Sequence, residues 1–351
     1  MDILGDWEPE ALSEKIKSKI KHNWDSMAKP LDSMGRFEDI IASVGAVLRT
    51  DRPDIHKRAL VIMCADNGVV EEGISQSTQE VTGIVARDMG LGKSNVCHMA
   101  ESIDVDVYPV DIGINSTLSY EGVLDRKVAM GTRNLAIESA MTMEQLRQAI
   151  SVGMNLVKEL KDEGYTLIAT GEMGIGNTTT SSIIAAALMG LAADEVVGRG
   201  AGLSDIGLNR KRLVVKEALD RYSLYEADIY KVLSTCGGLD IAGLTGVFLG
   251  GARYRIPIVI DGVISLVAAL TAERMKPGCR EYMIASHQSR EPASRLMMKE
   301  LKLSPCIDAD MALGEGTGAV MMIALLDMVM ALYDNNRSFE DINIKPYERY
   351  E

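Results

Sequence analysis

The densest group of residues able to do chemistry lies in 165–188, YTLIATGEMGIGNTTTSSIIAAAL. An apolar, β-branched run over 166–170 reads as a buried parallel strand. A turn with Gly171, Gly174 and Gly176 follows, then Asn177, Thr178, Thr179 and Thr180, placed to cap an apolar helix that runs to about Leu188. A glycine turn between a strand and a helix N-terminus leaves backbone N–H groups free for an anion. The turn nearly spells the triphosphate loop G-x-x-x-x-G-K-[ST], but Asn177 stands where lysine is required. A grip on β- and γ-phosphates is therefore not expected, whereas one phosphate on the helix end is. Glu172 stands beside the turn, able to hold a hydroxyl or face a cation. An ordinary tight strand–helix turn would use the same residues.

Residues 198–202, GRGAG, form a second glycine cluster, whose alternate glycines let a backbone approach a phosphate closely. Lys211, in the helix that follows, is within reach of an anion, or is a solvated surface lysine. Asp261, between an apolar run and Gly262, suits a sugar hydroxyl or a developing cation, and equally suits an N-cap. Residues 286–292, SHQSREP, place Ser289 and a serine–histidine pair after a strand. No G-x-S-x-G elbow occurs in the chain, so a hydrolase is not indicated, and His287 reads as a hydrogen-bonded turn residue. Glu315 stands between Gly314 and Gly316, just ahead of an apolar helix. Those small flanks admit a flat substrate, and a wall of Met311, Leu313 and Met321 would raise its pKa toward the range of a general base. An exposed loop glutamate is the plainer reading.

To position these groups the chain offers six apolar runs, 59–64, 105–110, 166–170, 232–236, 256–260 and 281–286, separated by helical patterns. They predict an α/β fold with a mostly parallel six-stranded sheet and helices on both faces. Each run ends in polar or glycine residues, where an open α/β sheet holds its ligands. Residues 8–50 read as two helices broken at 29–36. The expected organisation is an N-terminal helical segment, 1–55, packing into a small lobe with the C-terminal end; an α/β domain, 56–312, carrying the site; and the Glu315 loop with a C-terminal helix, 313–351.

A net charge of −13 over 351 residues sets the surface against nucleic acid and anionic membranes, so an anionic substrate needs a local site. Aromatic residues at 5% are too sparse for a base-stacking platform. Five scattered cysteines, with no C-x-x-C pair, argue against a disulfide framework or a zinc site and fit the cytoplasm. The acidic start lacks a signal-peptide pattern. Residues 317–333 are apolar, but they are short for a span and carry Asp327, so they read as a buried core helix.

Taken together, GEMGIGNTTTSS, GRGAGLSD, IDGVISLVAAL, SHQSREPASRLMMKELKL and DADMALGEGTGA resemble the nicotinate-nucleotide:dimethylbenzimidazole phosphoribosyltransferases. ADNGVVEEGISQSTQEVT and KPLDSMGRFE carry the same resemblance, which runs in order from about Lys29 to the C-terminal helix. It implies a Rossmann-like domain with a small helical lobe from both chain ends. It also implies transfer of the phosphoribosyl group of nicotinate mononucleotide to an aromatic base for cobamide assembly, without a cofactor or metal. By resemblance Glu315 is the catalytic base. Glu172, Gly174, Gly176, Asn177, Thr178, Gly200, Ala201, Gly202, Lys211, Asp261 and Ser289 handle the nucleotide; Ser75, Gln76, Ser77, Gln79, Met311 and Leu313 handle the base. A homodimer is implied, with a heterodimer formed with a paralogue as the alternative. After Ser75, members commonly carry Ala-Tyr-Pro where this chain has Gln76, Ser77 and Thr78, which opens the identity of the base, including phenolic ones. The competing readings are a catalytically weak partner subunit and a dinucleotide-dependent oxidoreductase. The latter would need G-x-G-x-x-G after the first strand, where residues 65–68 read ADNG.

Overall fold

The computed structural model describes residues 4–349; residues 1–3 of the N-terminal segment and the last two of the C-terminal one lie outside it. At its centre is β1 (Arg58–Ala65), eight residues buried along their whole length. Its side chains alternate between two cores: Ala59, Val61 and Met63 pack into one, Leu60, Ile62 and Cys64 into the other. A strand apolar on both faces must be covered on both, and this one is.

The remaining strands are β2 (Asp106–Gly113), β3 (Leu124–Asp125), β4 (Leu167–Met173), β5 (Ile258–Ile260) and β6 (Met283–Ala285). All pairings are parallel, in the order β3-β2-β1-β4-β5-β6. The order reverses between β1 and β4, which opens a crevice at their carboxyl ends. On one face lie the helices Met143–Asp162, Asn177–Met189, Leu239–Tyr254 and Val263–Met275. On the other, Glu14–Ser26 shares a core with Asn95–Glu101 and the C-terminal helix Thr317–Asp334. There the Trp24 and Tyr333 rings sit 4.9 Å apart, and Asn23 donates to the Tyr333 hydroxyl. Thr317–Asp334 is long and apolar enough to cross a bilayer by composition, but Val320, Ile323 and Leu326 are buried in that shared core.

One expected strand is wrong. Residues 232–236 form the end of a helix, Ile229–Cys236, and the sixth strand is the two-residue edge β3. A five-residue apolar run fits a buried strand and the buried side of a helix equally well. The discriminating signal was Asp228, whose side chain accepts from the Lys231 amide as N-cap. Gly237 and Gly238 consequently join two helices rather than end a strand.

Candidate active site

β4 delivers the first part of the site. Its last residues carry Glu172 to the crevice, and the turn behind them opens the helix Asn177–Met189. The N-cap of that helix is Gly176, at φ 95°, not Asn177. No side chain caps this helix; the Asn177 and Thr179 amides donate to the Gly174 and Gly176 carbonyls at 3.1 and 2.9 Å, and the helix end borders a pouch of about 80 Å³ lined by Ser75, Gln76, Gly176, Thr178 and Ala201. Such an end attracts a single anion through the helix dipole.

Asn177 turns away from the helix end. Its Nδ2 donates to the Glu172 carboxylate and, at 3.0 Å, to Asp240. Glu172 is pushed up to about 8, chiefly by burial and further by the Asp240, Asp261 and Glu315 carboxylates, against the lowering effect of the Asn177 bond.

Lys211 is neither a solvated lysine nor part of the cavity wall. It is fully buried, donating to Thr178 Oγ1 at 2.8 Å and to the Gly198 carbonyl at 3.1 Å. It therefore fastens the second glycine loop to the first helical turn, and burial lowers its pKa to about 8. Within that loop Gly200 donates its amide to Glu291 at 2.9 Å, and Gly202 donates to Arg199. Of the loop amides expected to face an anion, these two are engaged within the chain.

The Glu315 loop is built under constraint. Gly314, Glu315 and Gly316 have φ values of 84°, 60° and 95°, three left-handed residues in succession, a conformation costly for the glutamate. Asp261 holds it there. Its carboxylate accepts from the amides of Gly316 at 3.1 Å, Gly318 at 2.8 Å and Ala319 at 3.2 Å. Asp261 thus caps the distant helix Thr317–Asp334 rather than its own, and its oxygens are committed to amides rather than free for a sugar. Gly171 leaves no room for a side chain, since a Cβ there would lie 2.6 Å from the Glu315 carbonyl oxygen. Burial raises the Glu315 pKa; the Val96 amide and Asn95 side chain counter this, and the Asp261 charge adds to it.

Glu172 and Glu315 meet across one cavity of about 270 Å³. Gly174, Asn177, Thr178, Gly200, Ala201, Asp261, Ser289 and Leu313 also line it, so most of the expected site is assembled in one place. Gly176, Ser75 and Gln76 border the adjoining pouch, where Gln76 is bonded to the Gly202 carbonyl. Others are displaced. Ser77 folds onto Ser75 Oγ, and Gln79 reaches the Asn67 carbonyl and lines a separate cavity beside Asp66. The Met311 carbonyl accepts from Arg290. Neither the exposed Gly202 nor the buried Lys211 lines either cavity. Sequence reasoning missed Asp240 and Glu291, and it set aside His287, which is buried on the cavity wall with Nδ1 3.0 Å from Ser286 Oγ and 4.0 Å from Asp261.

The parallel α/β sheet thus brings one helix end and two carboxyl groups together at one crevice. The profile of a phosphoribosyltransferase family matches residues 10–344. The nicotinate-nucleotide–dimethylbenzimidazole phosphoribosyltransferase of Clostridium acetobutylicum is 43% identical over 96% of both chains, and that of Acetivibrio thermocellus 44% over 94% of both. The crystal structure of CobT from Thermus thermophilus superposes with a TM-score of 0.89 at 36% identity, covering 94% of this chain and 99% of that one. The chain belongs to the nicotinate-nucleotide–dimethylbenzimidazole phosphoribosyltransferase family. That membership displaces the oxidoreductase reading.

Proposed function

We propose that this chain transfers the phosphoribosyl group of nicotinate mononucleotide to an aromatic base, with Glu315 as the general base and Glu172 facing the reacting sugar. The observation that carries this is the pairing of the strained, Asp261-held Glu315 with Glu172 across one cavity that opens onto an uncapped helix end.

The chemistry matches those groups. The scissile bond joins C1′ to a pyridinium nitrogen; as it breaks, its electron pair neutralises the ring and nicotinate leaves without protonation. Positive charge develops at C1′, where ionised Glu172 stabilises it. The unprotonated ring nitrogen of the acceptor bonds to C1′ from the opposite face, converting a β-nucleotide into an α-linked product, and the proton on its other ring nitrogen passes to the Glu315 carboxylate, leaving a neutral ring. The phosphate lies in the pouch at the helix Asn177–Met189.

Dimethylbenzimidazole is the acceptor named for the relatives, and we extend the acceptors to phenolic and purine rings. Residues 76–78 supply no aromatic ring here, and Leu313, 56% exposed, offers apolar surface on the cavity that Glu315 lines. The domain reading, an N-terminal segment packed with the C-terminal end as a small lobe, is supported by Ile20, Trp24, Ile41 and Val44, which share a core with Ile323 and Leu326, while Leu4, Leu12, Ala46 and Val47 pack into the core on the other face of the sheet. Along the C-terminal helix Met321, Met328 and Leu332 are exposed, a stripe that supports a dimer, and five free cysteines support the cytoplasm.

The test is nicotinate release by the purified full chain with and without dimethylbenzimidazole, and the anomeric configuration of the product by NMR. Base-dependent release of an α-linked ribotide is expected. Release independent of base, or a β-linked product, would contradict the proposal.

A further inference from the structure

We propose that Asp240 is a positioning residue for this reaction: acting through the Asn177 side-chain amide, it fixes the Glu172 carboxylate at the cavity wall. The inference rests on the assignment of Glu172 to the nucleotide made above.

Asp240 is fully buried at the start of the helix Leu239–Tyr254. One oxygen accepts from the Ile241 amide at 2.9 Å, the other from Asn177 Nδ2 at 3.0 Å. The same Nδ2 donates to Glu172. Both hydrogens of the amide are thereby used, and only the nitrogen end can serve two carboxylates, so the Asn177 orientation is determined by its partners. Two glycines make room for the arrangement. A Cβ at Gly174 would fall 2.5 Å from Asp240 Oδ2, and one at Gly238 would fall 2.1 Å from Oδ1. This accounts for Gly174 in the turn and for a glycine at 238, two features that phosphate binding alone does not explain.

Removing Asp240 would free one N–H of Asn177 and let the amide rotate, releasing the Glu172 carboxylate from its fixed position. The groups that face Glu172 are Asp240, Asp261 and Glu315, with the Cys64 thiol on β1 and with His287 and Glu291 further along the cavity wall. Asp240 is pushed up to about 6 by burial and, once ionised, opposes ionisation of Glu172. Asp240 therefore has two separable effects: its oxygen orients Asn177, and its charge holds up the Glu172 pKa.

The experiment compares wild type, Asp240→Asn and Asp240→Ala in kcat and in kcat/KM for nicotinate mononucleotide against pH, with melting temperatures. In the free enzyme, kcat/KM should fall on the acid side as Glu172 is protonated and loses the charge that faces the pyridinium. Asp240→Asn removes the charge and keeps one acceptor oxygen for the two donors, the Ile241 amide and Asn177, so kcat at the plateau should fall less than in Asp240→Ala while the acid limb moves down by roughly one pH unit. Asp240→Ala loses both, and kcat should fall roughly ten- to a hundredfold at every pH. Wild-type limbs and plateaus in both variants, or losses that track only the folded fraction, would overturn the proposal. Where Asp240→Ala does not fold, the acid limb of Asp240→Asn decides alone. A carbon-13 NMR titration of the Glu172 carboxyl, in wild type and Asp240→Asn, reads the coupling without turnover. A lowered midpoint in the variant supports it and an unchanged one overturns it, even if the wild type releases no nicotinate, an outcome that would instead sink the reaction proposed above.

Discussion

Asp261 Oδ2 lies 3.1 Å from the backbone nitrogen of Gly316, the residue that follows Glu315. Fifty-five residues separate the two along the chain, so the end of β5 sets the conformation of the loop that carries Glu315, the proposed general base. A carboxylate accepting three amides is hard to replace, because each amide left unpaired in the interior keeps its desolvation cost. Asp261→Ala should destabilise the fold by about 2–4 kcal/mol and lower kcat in the protein that remains folded. Denaturant unfolding beside turnover checks both. Unchanged kcat would show that the loop holds its shape without Asp261.

The same loop leans on Gly171, where any Cβ meets the Glu315 carbonyl. Gly171→Ala should cost about 1–3 kcal/mol in overpacking and depress kcat more than nucleotide affinity, because it shifts the backbone of Glu315. Isothermal titration with nicotinate mononucleotide, set against kcat, separates the two effects.

Much of this was legible beforehand, and the failures have a common cause. The strand–turn–helix at 165–188 and a glutamate between glycines are local patterns, and each appears where its chemistry predicts. Glu172 and Glu315 could be placed at strand and helix ends and hence in one crevice. Lys211 could not, because burial is a property of what packs on top: nothing in its own helix says that Thr178 and Gly198 enclose its ammonium. Asp240 and Glu291 act on Asn177 and Gly200 across 63 and 91 residues, and each sits where a plain helix-start acid would. The misread run at 232–236 shows the other limit, a segment too short for its periodicity to tell strand from helix.

Lys211 gives a pH signature. Its folded pKa is lowered to about 8 from an ordinary 10.5, so between those values the unfolded chain binds more protons than the folded one. Its contribution to stability should rise with pH across that window and be constant below about 8. The stability difference between wild type and Lys211→Met, followed by denaturant unfolding, should therefore shift in favour of wild type over that range. A difference independent of pH would mean that the ammonium is not desolvated.

The acceptor loop can be tested by restoration. Gln76 ties this loop to the Gly202 carbonyl, and replacing residues 76–78 by Ala-Tyr-Pro removes that tie and adds an apolar ring. Phenol, with a pKa near 10 like tyrosine, yields its proton more readily than a neutral imidazole. The native chain should accept phenol, p-cresol and adenine in competition with dimethylbenzimidazole, and the restored one should favour dimethylbenzimidazole more strongly, read as ratios of kcat/KM. A strong native preference for dimethylbenzimidazole, unchanged on restoration, would remove the loop from acceptor choice.

The central claim is that Glu315 takes the proton of the incoming base, and Glu315→Gln tests it most directly. The amide keeps the size of the side chain and cannot accept that proton. Nicotinate mononucleotide should bind the variant with near wild-type affinity by calorimetry, while kcat for base-dependent nicotinate release falls roughly a hundred- to ten-thousandfold. Turnover within a few-fold of wild type, with nucleotide affinity intact, would contradict the account.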